Sequence, residues 1–200
     1  DADYCMHCMD EEIQKDRVAA GLSEIPLNIV MTLDATDVPM EHNLLKNTDV
    51  PCMMVTSPKG LEYLEKNFKG TYLVAKETDS EEVIKEKLDK AGKGVLPVLV
   101  TGKGGFPDST VTMKILKKIG IERLLIESPG YGHYLVKQKM MDEFFLNLSA
   151  VYIGGGDTMT LGKADKGFLA EAHPHTQILS IHMYNDYFAY FRYKFNYDYV

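Results

Sequence analysis

The sequence predicts an α/β fold: a mostly parallel central sheet flanked by helices, finished by a C-terminal antiparallel hairpin. Three observations point there. Short apolar runs at 27–33, 50–56, 71–75 and 95–101 read as buried strands. Between them lie amphipathic segments that carry N-cap residues at their starts and glycines at their stops. Such alternation implies parallel strands joined by helical crossovers. Near the other end, 178–183 and 187–193 alternate or run apolar around Tyr184-Asn185-Asp186, a hairpin signature.

Each element has its own signal. Asp10 to Ala20 predicts a short helix with an acidic start that stops at Gly21. Leu27 to Leu33 and Val50 to Thr56 predict strands. Ser57 then caps a helix whose first residue is Pro58, where a missing N–H is harmless. Leu61, Leu64 and Phe68 mark that helix's inner face. Thr71 to Ala75 predicts a third strand, and Ser80 opens a helix to Ala91 with Glu81 and Glu82 in its first turn. Val95 to Thr101 is a strand whose Pro97 places it at an edge or near the strand start. Asp108 or Ser109 caps a helix over 112–119, closed by Gly120. An apolar strand at Arg123–Glu127, a turn at Ser128–Gly132, a helix over 131–140 and a second apolar strand after Asp142-Glu143 complete the order, ending in Gly154, Gly155 and Gly156.

Composition sets limits. Two hundred residues with 45% hydrophobic content suit one good core. Residues 1–24 read as a separate N-terminal segment and 25–200 as the domain. A net charge of −7 argues against nucleic acid or an anionic membrane as main partner, leaving a small-molecule substrate. No apolar run approaches the roughly 18 residues that span a bilayer, and no signal-peptide pattern opens the chain. Three cysteines do not suggest a disulfide scaffold, so the expected compartment is cytoplasmic.

The candidate site residues follow from where the turns fall. A strand feeding a glycine-rich turn and a helix start leaves N–H groups unpaired, and with the helix dipole they suit a pyrophosphate. Ser128, Gly130, Tyr131 and Gly132 are the cofactor-binding candidates there, although the same pattern also makes an ordinary connection. Thr32, Asp34 and Ser57 stand at strand ends, where ligands of open α/β sheets bind. Ser57 can serve as a helix cap, a cofactor contact or both. Glu127 is the catalytic candidate: a carboxylate able to orient substrate or pass a proton through water, or else one satisfied by the adjacent helix start. Gly154 to Gly156 line a cleft or form a bulge.

Other patterns carry less. Cys5-Met6-His7-Cys8 is half of a zinc site without a second half, and His173, His175 and His182 make a weak metal set, so no metal is expected. Gly102-Lys103-Gly104-Gly105 follows a strand but lacks the Walker ending, which favours a flexible connection over a phosphate loop. The aromatic run from Tyr184 to Tyr199 fits a core and dimer-interface hairpin better than a base-stacking platform.

The order of elements and the residues at their turns resemble the dihydrofolate-reductase-like fold, and more closely the RibD C-terminal family of riboflavin-biosynthesis reductases. The resemblance stands on Ile126-Glu127-Ser128-Pro129-Gly130, Met141-Asp142-Glu143-Phe144 and Ile153-Gly154-Gly155-Gly156, with Leu27–Met40 upstream, and covers roughly 25–197. It implies NADPH as hydride donor, a small heterocyclic or carbonyl substrate, and a homodimer through the hairpin. The narrower alternative it implies is a reductase of a ribosylamino-pyrimidine phosphate. Three departures matter. The family's first strand and its Gly-x-x-Thr turn are not visible, so either the chain begins late or residues 1–24 replace them. The family's Glu-Gly-Gly turn has become Glu127-Ser128-Pro129-Gly130. The basic residues that hold the substrate's phosphate are not evident around Asp34-Ala35-Thr36-Asp37, and Asp34 disfavours a 2′-phosphate, which keeps NADH possible. The missing first strand and the altered turn favour the rival, a catalytically silent nucleotide-binding or scaffold protein.

Overall fold

The computed structural model describes residues 10–46, 50–152, 166–169 and 172–198. They fall into two compact units divided between Arg123 and Leu124. In the first, β1 (Asn28–Met31), β2 (Cys52–Thr56), β3 (Thr71–Lys76) and β4 (Val95–Val100) form a parallel sheet in the order β1-β2-β4-β3. Successive side chains on a strand face opposite ways, so each strand feeds two cores. Met54, Val98, Leu64 and Phe68 share one, on the side of α2 (Pro58–Asn67). Met53, Val55, Leu99, Ile84, Ile115 and Leu116 share the other, with α3 (Glu81–Leu88) and α4 (Ser109–Lys118). Every residue of β2 is buried, as a strand covered on both faces must be. Each fully buried side chain of this size contributes about 1.5–3 kcal/mol.

The helices begin where their caps predict. Ser57 Oγ accepts the Gly60 N–H at 3.3 Å, Ser80 Oγ that of Val83 at 3.4 Å, and Asp108 Oδ1 that of Val111 at 2.9 Å. Asp10, read as the first residue of α1 (Glu11–Ala19), is instead its cap. Pro97 lies in an inner strand, not at the edge. It is the third residue of β4, and the β2–β4 ladder starts one residue later, at Met54↔Val98. Near the strand start, the absent N–H removes no bond from that ladder.

The second unit carries α5 (Pro129–Lys137) and an antiparallel sheet of β5 (Glu143–Ser149), β6 (His175–Asn185) and β7 (Phe188–Asn196), in the order β5-β7-β6. The C-terminal hairpin forms as expected, with its turn at Asp186-Tyr187 pinned by the Tyr187 N–H donating to Asn185 Oδ1 at 2.8 Å. It pairs with β5 in a sheet of its own instead of finishing the parallel one. Arg192 and Glu143 bind each other bidentately across β5 and β7 at 2.7 and 2.8 Å. Tyr197 adds a hydroxyl hydrogen bond to the Met141 carbonyl at 2.8 Å.

One expected strand is absent. Arg123–Glu127 has no regular structure, and Leu125 is 73% exposed. A strand exists only as a ladder with a neighbour, and among the described residues none pairs with this run.

Candidate functional site

Three connections meet at the carboxyl ends of β1, β2 and β4. β1 and β4 are each followed directly by a buried threonine, Thr32 and Thr101, and β2 ends on one, Thr56. Thr101 Oγ1 lies 2.9 Å from Thr112 Oγ1 and accepts the Asp108 N–H at 3.1 Å, which seats α4 under its strand. Thr32 Oγ1 donates to Asp37 Oδ1 at 2.8 Å and accepts the Ala35 N–H at 3.1 Å. That pair of bonds curls the turn after β1 and holds Ala35 at φ +62°, fully buried, in a conformation non-glycine residues rarely adopt.

Within this turn Asp34 is the charged centre. Its Oδ1 accepts from the Thr36 hydroxyl at 2.6 Å and the Thr36 N–H at 3.3 Å, and its Oδ2 faces Lys59 Nζ at 3.3 Å. The hydrogen bonds from Thr36, aided by the nearby Lys59 ammonium, hold the carboxyl below the usual carboxylate range. Asp34 is therefore an anion at neutral pH. The turn also rests on α2, because a Cβ at Gly60 would lie 1.9 Å from Thr56 Oγ1 and 3.2 Å from the Asp34 carbonyl carbon.

The loop after β4 completes the edge. Gly102 stands at φ +75°, where a Cβ would meet the Phe106 carbonyl oxygen at 2.2 Å, and its N–H donates to Glu77 Oε2 at 2.9 Å. Gly104 stands at φ +58°, and its carbonyl accepts the Lys59 N–H at 2.9 Å. The N–H groups of Gly104 and Gly105 have no hydrogen-bond partner among the described residues. Phe106, one residue on, is 71% exposed.

The structure thus places Thr32, Asp34 and Ser57 at one sheet edge, together with Lys59, which the sequence did not single out, and with Gly104 and Gly105, which it read as a flexible connection. Ser57 is fully buried and spends its hydroxyl on the α2 cap. Lys59 carried no signal, because its partners lie 25 positions before it and 45 after it in the chain. The Gly-Lys-Gly-Gly pattern did carry one.

The other candidates lie in the second unit. Ser128 caps α5 by accepting the Tyr131 N–H at 3.4 Å, and the Gly132 N–H donates to the Ser128 carbonyl at 2.7 Å. Pro129 has no N–H, so of this first turn only the Gly130 amide lacks a partner among the described residues. Glu127 is exposed and makes no hydrogen bond or ion pair among the described residues. His133 Nε2 is buried without a hydrogen-bond partner among the described residues, its ring 5.0 Å from that of Phe168. Gly154, Gly155 and the Cys5–Cys8 pair lie outside the described residues. Among the described residues no cluster of histidine, cysteine or carboxylate suits a metal, and no helix is long and apolar enough to cross a membrane.

No family model matches the chain, and no curated protein is similar to it in sequence. Solved structures are similar in fold. A pyrimidine reductase-like protein from Corynebacterium diphtheriae NCTC matches with a TM-score of 0.60 at 14% identity, over 96% of this chain and 69% of that one. A protein assigned to riboflavin biosynthesis from Shewanella sp. PV-4 matches with a TM-score of 0.40 at 14% identity, over 85% of this chain and 98% of that one. The first match shows a shared fold; the second is too distant to argue from.

Proposed function

We propose that this chain is a nicotinamide-dinucleotide-dependent reductase of the RibD C-terminal type, acting on a small heterocyclic or carbonyl substrate. The observation that carries the reading is the fold shared with a pyrimidine reductase-like protein over 96% of the chain. The polar edge of the parallel sheet supports it, since open α/β sheets bind ligands at the carboxyl ends of their strands. When bound, the cofactor supplies the hydride. The chain's own part is to hold and orient. The Gly104 and Gly105 amides and the Lys59 and Lys103 ammonium groups suit phosphate oxygens, and the missing Cβ of each glycine allows close approach. Glu127 stands free to orient substrate or relay a proton through water. A substrate of ribosylamino-pyrimidine phosphate type is the narrower form of this proposal.

A silent scaffold of the same fold is the second reading. It is favoured by the turn at α5, where Tyr131 and Gly132 spend their amides within the turn itself. Fluorescence titration of NADH and NADPH with the intact chain separates the two. The reductase reading expects saturable binding in the micromolar range, on the order of −8 kcal/mol. No binding of either nucleotide at submillimolar concentration leaves the scaffold.

A further inference from the structure

We propose that the turn after β1 and the loop after β4 form one nucleotide-reading site, in which Asp34 takes the 2′,3′-diol of the adenosine ribose and the Gly104 and Gly105 amides take a phosphate. The inference rests on the reductase reading and names the form of the cofactor: the unphosphorylated ribose of NADH.

Lys59 joins the parts. Its backbone N–H donates to the Gly104 carbonyl at 2.9 Å, its Cδ lies 3.5 Å from where a Gly105 Cβ would stand, and its Nζ faces Asp34 Oδ2 at 3.3 Å. One residue at the start of α2 therefore sets both the carboxylate and the loop. The Asp34 side chain keeps 27% of its surface open to solvent and that of Lys59 64%.

The carboxylate has room for one hydroxyl of the diol. Oδ1 already accepts twice from Thr36, but Oδ2 meets only the long Lys59 contact, and a carboxylate oxygen can accept two hydrogen bonds, so one place is open. A ribose hydroxyl brings the donor that fills it. A 2′-phosphate brings none once doubly ionised, and it sets a dianion against an anion. The loop's own chemistry suits a single phosphoryl linkage. A left-handed glycine turns successive N–H groups to one side, the arrangement that binds anions, and the Gly104 and Gly105 N–H groups are free to do so.

Titration calorimetry of the intact chain with adenosine diphosphoribose and with its 2′-phosphate tests this without turnover. The diol form is expected to bind at least roughly tenfold tighter, since a like charge at close range in a partly exposed site carries that much discrimination. Asp34→Ser, checked for folding by circular dichroism, should bring the ratio close to one; Asp34→Asn is the substitute if the serine variant unfolds. Lys59→Met should weaken both ligands. Equal or tighter binding of the 2′-phosphate by the wild-type chain overturns the proposal and leaves the reductase reading in place. Failure of both ligands together with NADH and NADPH overturns the two together.

Discussion

Gly60 shows how little space separates the first turn of α2 from the turn after β1. An added Cβ would sit 1.9 Å from Thr56 Oγ1, with both residues buried. Gly60→Ala is therefore expected to cost about 1–3 kcal/mol, the range for overpacked cores, and urea denaturation measures it. The variant should also disturb Asp34, whose carbonyl carbon is the third nearest atom. Asp79 supplies a pH prediction. The hydrogen bond from Lys87 Nζ at 2.8 Å, then that from the Lys76 N–H, hold its carboxyl below the usual range. A depressed folded value means the contribution is complete above about pH 4 and lost as pH falls through the folded value. Thermal melts from pH 6 to pH 2 should show Asp79→Asn losing stability at the upper end and little at the lower. At this scale the sequence showed residue types and not surroundings. Ser57 was legible as a cap because its partner is three residues away. Glu127 was legible as a carboxylate beside a glycine turn, yet its solvent exposure follows from the missing ladder, which no local pattern reports.

Local signals carried the elements of the first unit well. β2 and β4 are apolar runs of five and six residues covered on both sides, and such runs need no alternation to read as strands. Caps within three residues of their partners located the starts of α2 and α3, whereas the helices read from 112 and from 131 begin earlier, at Ser109 and Pro129. Removing one has a defined effect: Ser57→Ala is expected to cost about 1 kcal/mol, more if the vacated Gly60 N–H stays dry, and a chemical melt checks it. Strand order was not legible. β4 lies between β2 and β3, an insertion set by pairing between segments far apart in sequence, so Pro97 gave two options and only tertiary structure chose. Arg123–Glu127 has strand composition without a strand's neighbours, which is why propensity misled there.

For the molecule as a whole, the hairpin raises the matter of self-association. Ile178, Ile181 and Met183 of β6 are all more than half exposed. They lie opposite Tyr193, Phe191 and Ala189 of β7 on the same face, where Ala189 is buried and the two rings are half-buried, so β6 supplies most of the exposed apolar surface. A homodimer through this face is our proposal. Light scattering at roughly 10 μM should give twice the monomer mass, and Ile181→Asp should halve it, since a charge at a dry interface is not tolerated. A wild-type monomer under those conditions ends the idea. Alkali should act on the same unit through Tyr197, whose burial pushes its hydroxyl's pKa up. A raised folded value means stability is complete below about pH 10 and falls as pH rises through the folded value. Near-ultraviolet absorbance titration would place the transition.

The middle place of β7 in its sheet bears on how the polypeptide is made. Among the described residues β5 pairs only with β7, the last of the three strands to be synthesised, and so does β6. On the ribosome, Phe144-Phe145-Leu146 must wait, edges bare, until more than forty further residues have emerged. A nascent segment of that kind invites chaperone capture or misassembly. Pausing or truncating translation before Phe188 should leave a product that the cell's holdases retain, whereas one stopped shortly after Asn196 should be released.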